Sequence, residues 1–280
     1  MSPHDKEQEP ESVFLNVAVH AQACAMLEET HVLTGESLSL KLENIRSALN
    51  RQEETLIFAL IERAQFRLNA SIYDPKAFRL ESLSFLDYLL LETEKVHARV
   101  RRYTSPDELP FFPLTSLPDP ILPEAVYPKS IVPNQVNLNE DIKQAYLESI
   151  VPELCLPGDD GHFGSSALGD VSVLQILSKR IHYGKFVAEA KFLRHRDKFV
   201  VLIRRGDRER ILDAITDAKV EEQVLDRIQA KAAAYGRNES NPGAPQLIDP
   251  LLVRKVYEKI VIPLTKQVQL LYLLDRLKHE

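Results

Sequence analysis

The chain has 280 residues, which is enough to bury a substantial core in one large domain or two small ones. Its apolar fraction of 44% and its charged fraction of 27% are typical of a globular protein. The net charge of −6 gives no support to a general role in binding nucleic acids or other polyanions, so any anion site must be a local cluster of Arg and Lys.

The first 39 residues are predicted to be an extension with one extra helix. Residues 13–27 are apolar, but the residues before them are acidic where a signal peptide needs positive charge, and the stretch is too short to span a bilayer. We interpret it as an amphipathic helix that packs on the body of the protein or on a partner chain. The two cysteines, Cys24 and Cys155, lack the spacing of a zinc site or a disulfide framework, which favours a reducing compartment and predicts a cytoplasmic protein.

Helical periodicity dominates the rest of the chain, with no convincing run of alternating strand pattern. A connection at about residues 104–136 contains eight of the 17 prolines, which predicts an extended, stiffened loop over the surface. Further loops are predicted at residues 157–169, which are rich in Gly, and at residues 236–247. The predicted helices cover about residues 40–66, 84–102, 139–155, 170–195, 199–205, 208–215, 218–235 and 250–277.

The last predicted helix has the clearest start signal, because Asp249 is a suitable N-cap and Pro250 occupies the first helical position. Pro263 lies inside this helix and is predicted to kink it. Repeats, low-complexity tracts and linkers are missing from the sequence. The pattern therefore predicts an all-α fold, in which residues 40–280 form a single-domain helical bundle with a long proline-rich surface connection.

Several predicted helices carry polar side chains on one face. Arg180 and Lys191 are eleven residues apart, so on one continuous helix they would differ in direction by only about 20°. Such groups can converge inside a bundle and form a binding site, but they can equally be solvated flanks or intrahelical ion pairs, and spacing alone does not decide. The other members of this set are Arg46, Asp217 with Glu221, and Thr265 with Gln269.

Five sequence blocks, in this order, resemble the all-helical chorismate mutases of fungi and plants. The similarity extends from about residue 40 to the C-terminus, which makes it far more specific than a short motif. The blocks are NIRSALNRQEETLIFALIERAQF (44–66), RRYTSPDELPFFP (101–113), SKRIHYGKFVAEAKF (178–192), KVEEQVLDRI (219–228) and IVIPLTKQVQLLYLLDRL (260–277).

The resemblance implies an all-helical homodimer with one active site inside each subunit. Its activity would be the isomerisation of chorismate to prephenate in phenylalanine and tyrosine biosynthesis, with no cofactor and no metal. By resemblance, Arg46, Arg180 and Lys191 are the cationic substrate ligands. Glu221 would accept a hydrogen bond from the ring hydroxyl of the substrate, and Thr265 would lie near a substrate carboxylate.

Two positions depart from the family pattern. Asp217 stands where fungal relatives have Asn. A further carboxylate beside a dianion is unfavourable, so we expect this side chain to point away from the substrate or to cap the helix that begins at Ala218. Gln269 stands where fungal and plant relatives usually have Glu, and the bacterial all-helical enzymes use Gln there. Gln donates a hydrogen bond at any pH, whereas Glu must be protonated to do so.

The resemblance also implies a regulatory site at the dimer interface, where tyrosine inhibits and tryptophan activates the fungal enzymes. Arg101 and Arg102 match its basic pair, although they can equally be cations at the C-terminus of their helix. Gly164 and Ser165 match its loop contacts. Asp249 corresponds to Thr in fungal relatives and to Asp in plant relatives, and it can also be a plain N-cap.

Two other functions are left open by the sequence. The first is a non-catalytic helical dimer of the same fold that acts as a binding module, which we would expect to have lost its cationic ligands, whereas all three are present. The second is another chorismate-binding enzyme, such as a lyase or a fused dehydrogenase. Fusion is disfavoured because no room is left for a nucleotide-binding domain and no GxGxxG motif follows a strand.

Overall fold

The structure is a computed structural model that describes residue 40 and residues 42–80, 82–124, 130–237 and 245–279. The extra helix predicted at residues 13–27 and Cys24 lie outside the described residues. Leu40–Glu280 forms one compact unit. Among the helices that the structure describes, none combines the length and the apolar composition needed to cross a bilayer.

The described part of the chain is all-helical, which confirms the predicted fold class. Short 3-10 turns occur at Ala70–Tyr73, Arg102–Thr104, Leu114–Ser116 and Arg276–His279. The α-helices are α1 (Leu42–Ala64), α2 (Phe85–Arg99), α3 (Asn139–Ala145), α4 (Val151–Leu154), α5 (Phe163–His182), α6 (Gly184–Arg194), α7 (Arg196–Arg205), α8 (Arg208–Ile215), α9 (Ala218–Tyr235), α10 (Pro250–Val256) and α11 (Ile262–Asp275).

Side-chain caps fix the starts of four of these helices. Ser84, Asp207, Asp217 and Asp249 each accept a hydrogen bond from a backbone N–H in the first turn of α2, α8, α9 and α10, respectively. Capping of this kind satisfies donors that have no partner inside the helix. The predicted bounds of α8 and α9 agree with the structure because a cap residue precedes each helix in the sequence.

The structure corrects two predictions in the middle of the chain. Helix α5 begins at Phe163, so the second half of the loop predicted at residues 157–169 is helical. Gly169 lies inside α5, where a Cβ would meet the Arg63 side chain at 3.0 Å, so this glycine allows α1 to approach rather than ending a helix. The helix predicted at residues 170–195 is divided at Tyr183, just before the weak helix former Gly184.

Pro263 is accommodated by a π turn, Tyr257–Val261, which joins α10 to α11. Proline has no N–H, and in an α-helix its ring collides with the carbonyl four residues earlier. In the wider turn, the N–H of Ile262 bonds to the carbonyl of Tyr257, five residues earlier. The helical segment therefore continues through the position at which a kink was predicted. A second π turn, Tyr146–Ile150, joins α3 to α4 in the same way just before Pro152.

The proline-rich connection is held against α2 by hydrogen bonds from its backbone. The N–H groups of Phe111 and Phe112 donate to the two carboxylate oxygens of Glu94 at 2.7 and 3.0 Å. Further along, the N–H of Ile121 donates to the carbonyl of Arg99 at 2.8 Å. Glu94 is buried, and this burial raises its carboxyl pKa to about 7 against the opposing effect of the two N–H groups.

One ion pair lies completely inside the core, where α1 packs against α5. The Nε of Arg63 donates to Asp170 Oδ1 at 2.5 Å, and neither side chain has any exposed surface. The hydroxyls of Tyr73 and Tyr146 also donate to Asp170, at 2.8 and 2.6 Å. The other N–H groups of Arg63 donate to the backbone carbonyls of Phe66, Arg67 and Leu68. Because every charge has partners, we assign this cluster a structural role.

We predict that Asp170→Ala lowers the free energy of unfolding by about 3–5 kcal/mol, because it leaves the Arg63 guanidinium buried without a counter-ion. The measurement is a urea denaturation curve followed by circular dichroism. Asp275→Ala is the matched control, since the exposed pair of Asp275 with Lys278, 2.6 Å apart, is expected to contribute about 0–1 kcal/mol. Equal losses in the two variants would contradict the structural role of the buried pair.

Candidate active site

Most of the expected active-site residues meet in one cavity of about 160 Å³ between α1, α5, α6, α9 and α11. Arg46 is the exception: it is exposed and lines an adjoining cavity of about 350 Å³. Arg180 and Leu49 belong to the walls of both cavities. The residues that line the first cavity are Leu49, Arg180, Val187, Lys191, Ile215, Asp217, Val220, Glu221, Val224, Ile262, Thr265, Lys266 and Gln269.

Arg180, in the last turn of α5, is a buried cation with unused hydrogen-bond donors. Only 6% of the residue is exposed, and its Nε and Nη1 atoms have no hydrogen-bond partner in the described part of the chain. Its Cζ lies 5.9 Å from the ring centroid of Tyr257, which gives a long cation–π contact. A buried guanidinium with free N–H groups is costly unless an anion pairs with it, so this position is suited to a carboxylate ligand.

A carboxylate of the protein lies beside this site but is already paired. Glu53 lines the adjoining cavity with Arg180 and is 1% exposed. It accepts hydrogen bonds from Arg227 Nε and Nη2 at 3.0 and 2.6 Å and from Lys231 Nζ at 3.2 Å. Because these two cations occupy Glu53, the donors of Arg180 are left for a ligand.

Lys191 enters the cavity from α6. Its Nζ donates to the carbonyl of Ile215, at the end of α8, and lies 3.5 Å from Gln269 Oε1 on α11. Burial lowers the pKa of the Lys191 ammonium, while the nearby carboxylates of Glu221 and Asp217 oppose this change. Arg180 and Lys191 thus lie on two helices, so the 20° estimate was wrong because it assumed one continuous helix, although both residues reach the same cavity.

A close contact between α6 and α11 positions the polar groups of α11. A Cβ on Gly184 would lie 3.0 Å from the carbonyl oxygen of Thr265 and 3.1 Å from its Cγ2 atom, so only glycine permits this approach. Thr265 Oγ1 donates to the carbonyl of Val261 at 2.6 Å, and Gln269 Nε2 lies 3.4 Å from the Thr265 carbonyl. Gln269 is 5% exposed, which places its amide in a largely dry site.

The opposite wall of the cavity is formed by the first turn of α9. Asp217 caps this helix, with its side chain accepting from the Val220 N–H at 3.2 Å, so its carboxylate is used locally. Glu221 Oε1 lies 2.7 Å from Lys266 Nζ. Sequence reasoning missed Lys266. It could have been found from helical spacing, since it lies one turn after Ile262 and one residue after Thr265 on the face of α11 that lines the cavity.

Arg101 and Arg102, the basic pair expected at the regulatory site, lie just after the end of α2. Arg101 lies beyond the helix in a left-handed conformation (φ 59°), and its Nε donates to the carbonyl of Leu122 at 2.7 Å. Arg102 Nε donates to Glu108 at 2.9 Å, and its Nη1 donates to Gln175 at 3.1 Å. Both arginines are outside α2, so they are not cations of its last turn.

The other regulatory residues lie elsewhere on the chain. Gly164 and Ser165 are exposed in the first turn of α5, where a loop had been predicted. Gln175, the contact of Arg102, lies eleven residues further along α5, which corresponds to about 16 Å along the helix axis. A single chain therefore does not bring Arg102 next to Gly164 and Ser165. Asp249 caps α10 by accepting from the Leu251 N–H at 2.9 Å.

The described residues include no group of three or more His, Cys, Asp or Glu side chains that could hold a metal ion. The donors in the cavity are instead a guanidinium, two ammonium groups, an amide and a hydroxyl. Such a set can bind carboxylates and can stabilise negative charge on an ether or alkoxide oxygen through hydrogen bonds.

Comparisons with known proteins agree on one family. Residues 167–270 match the family described as chorismate mutase type II. The chorismate mutase of Emericella nidulans is 49% identical over 261 residues, which cover 88% of this chain and 96% of that relative. Aro7p chorismate mutase from Candida albicans, in complex with L-Trp, has a TM-score of 0.84 and 39% identity, over 88% of this chain and 95% of that chain.

A second solved structure, AtCM1 with tyrosine bound in its allosteric site, has a TM-score of 0.79 and 44% identity, over 86% of this chain and 98% of that chain. Identity at this level extends over nearly the whole length of these relatives, and the fold agrees with theirs. The chain therefore belongs to the type II chorismate mutases.

Proposed function

We propose that this chain isomerises chorismate to prephenate in the cavity that contains Arg180 and Lys191, without a covalent intermediate. The observation that carries the proposal is the buried guanidinium of Arg180, in the same cavity as the Lys191 ammonium. Its Nε and Nη1 have no hydrogen-bond partner among the described residues. Membership of the family supplies the substrate, a small dianion with two carboxylates, and the two cations provide the charge to bind it.

The first task of the cavity is to hold the substrate in a compact, reactive shape. In the rearrangement one C–O bond breaks while one C–C bond forms, so neither a nucleophile nor a proton shuttle is needed. Arg180 and Arg46, which line the same adjoining cavity, would bind the two carboxylates and bring the enolpyruvyl arm over the ring. Thr265 would support one carboxylate from α11.

The second task is to stabilise charge that develops only in the transition state. Negative charge grows on the ether oxygen as its bond to the ring lengthens. Lys191 Nζ and Gln269 Oε1 are 3.5 Å apart, so the ammonium and the rotated amide NH₂ can both reach one oxygen between them. Glu221 keeps a second carboxylate oxygen for the ring hydroxyl while its Oε1 pairs with Lys266, and we keep Asp217 as a candidate contact of lesser weight.

The test of this proposal is Lys191→Ala, which removes one donor to the ether oxygen. We expect kcat for chorismate, followed by the loss of its absorbance, to fall by about 10²–10³-fold. Lys259→Ala is the matched control: this exposed lysine pairs with Glu258 at 3.0 Å and does not line either cavity of the site, so kcat should be unchanged. Full activity of Lys191→Ala would refute the assignment.

A second test uses the amide of Gln269. Because Gln donates at any pH, wild-type activity should stay nearly flat from about pH 5 to 8. In Gln269→Glu the donor is the protonated acid, so activity should be highest at low pH and should fall as rising pH removes that proton. The measurement is kcat against pH, with the exposed Gln267→Glu as the control. A steep fall of the wild-type rate toward neutral pH would contradict this role.

We further propose that the protein is a cytoplasmic homodimer in which residues 40–280 form the catalytic domain, with its regulatory site, and residues 1–39 form an extension. An exposed apolar patch around the end of α2 supports a dimer face: Val96 is 62% exposed, Val100 46%, Ile121 73% and Leu122 47%. Arg101 borders this patch through its bond to Leu122. A second chain could then bring Gly164 and Ser165 to Arg101 and Arg102.

Tyrosine and tryptophan are the effectors that we propose for this interface, with Asp249 as a further candidate contact. The support is that related structures hold L-Trp or, in an allosteric site, tyrosine. At effector concentrations on the order of 0.1–1 mM, we expect tyrosine to lower and tryptophan to raise the rate at low chorismate by about 5-fold or more. Arg102→Ala should remove both effects. Identical rate curves with and without effector would contradict regulation.

A further inference from the structure

A strongly basic exposed surface lies on α7 and α8. Residues 194–210 contain seven Arg and Lys against three Asp and Glu, a net charge of +4 in a chain whose total is −6. All seven cationic residues are exposed. We call Lys198, Arg204, Arg205, Arg208 and Arg210 the basic corner.

The backbone holds the basic corner in a fixed shape. Gly206 ends α7 with φ 63°, and its N–H and that of Asp207 donate to the carbonyls of Ile203 and Leu202 at 2.9 and 3.1 Å. The Asp207 side chain then caps α8 by accepting from the Arg210 N–H at 3.2 Å. The turn between the two helices therefore has little freedom, and the side chains on either side of it stay next to each other.

Most cations of the basic corner have no ion-pair partner among the residues that the structure describes. Arg210 lies 3.5 Å from Asp207. The side chains of Lys198, Arg204, Arg205 and Arg208 form no ion pair with any residue in the described ranges. Elsewhere most buried or half-buried cations are paired, for example Arg227 with Glu53 and Arg102 with Glu108.

Helix electrostatics explains only two of the five cations of the basic corner. Arg204 and Arg205 lie in the last turn of α7, where the helix dipole favours positive charge. Arg208 and Arg210 lie in the first turn of α8, where the dipole disfavours it. A role in stabilising the helices therefore does not account for the whole cluster.

The exposed apolar surface beside the basic corner is aliphatic and not aromatic. Val201 is 47% exposed and lies about one helical turn from Lys198, Arg204 and Arg205 on α7, so uncharged surface adjoins these cations. The larger apolar residues of α7 are turned inward: Phe199 is 1% exposed, Leu202 7% and Ile203 8%. Phe199 is therefore not available to stack on a nucleic-acid base, and α7 has no large apolar face to insert into a lipid surface.

From this combination we propose that the basic corner, with Val201, is a docking surface for an acidic, partly apolar segment of another protein. Exposed arginines beside apolar side chains are typical of protein interfaces, and complementary charge speeds the encounter of the two partners. The surface shares no residue with the cavity, so the proposal stands or fails independently of the enzymatic activity.

The test is a binding titration of the purified full-length protein with a fluorescein-labelled peptide of Glu residues interrupted by Leu. We expect saturable binding at about 50 mM salt that weakens about ten-fold at about 200 mM salt, because salt screens exposed charges. The combined variant Arg204→Glu, Arg205→Glu, Arg208→Glu should abolish binding. Val201→Ser, which leaves all charges in place, should weaken it measurably.

The control is Lys76→Glu, Arg79→Glu, Lys259→Glu, which changes the net charge equally at exposed sites elsewhere and should still bind the peptide. Circular dichroism and chorismate turnover should match the wild type in every variant. If the triple variant is misfolded, the corresponding Gln substitutions replace it. Equal loss in the control, no effect of Val201→Ser, or tighter binding of phosphatidylserine vesicles or a single-stranded oligonucleotide than of the peptide would overturn the proposal.

Discussion

A cation buried without a counter-ion is the constraint on which the site depends. Most buried charges of the described core are paired: Arg63 with Asp170, Arg276 with Glu189, and Glu53 with Arg227 and Lys231. Arg180 is different, because its Nε and Nη1 remain unpaired in the cavity. The desolvation cost of such a group is offset only when an anion enters, so the fold itself favours binding of a carboxylate.

Contacts between helices position the groups that would bind the anion. The division of α5 from α6 at Tyr183 turns Arg180 and Lys191 toward one space from two directions. Gly184 then brings α6 against α11, which sets the separation between Lys191 and Gln269. These close contacts exclude water, which strengthens each hydrogen bond to the reacting oxygen. The packing of the helices therefore contributes directly to catalysis.

The sequence predicted what local chemistry determines. The bounds of α8 and α9 follow from the caps Asp207 and Asp217. The resemblance to the family named most of the polar residues that line the cavity, whereas Arg46 lines the adjoining one. The sequence alone could not predict the features that arise from contacts between distant segments of the chain. Gly169 is typical of a loop in the sequence, but in the structure its missing Cβ leaves space for Arg63 of α1. The role of Lys266 depends on its ion pair with Glu221, which lies on a different helix.

The π turn before Pro263 has a consequence for how this protein can vary in length. The π turn contains one residue more than an α-helical turn. The side chains of α11 therefore point about 100° away from the directions that they would have in an uninterrupted α-helix. Deleting one residue there would remove the wide turn that accommodates Pro263 and would rotate Thr265 and Gln269 away from the cavity wall. The number of residues in this turn therefore governs both how the helix passes Pro263 and which side chains of α11 reach the cavity.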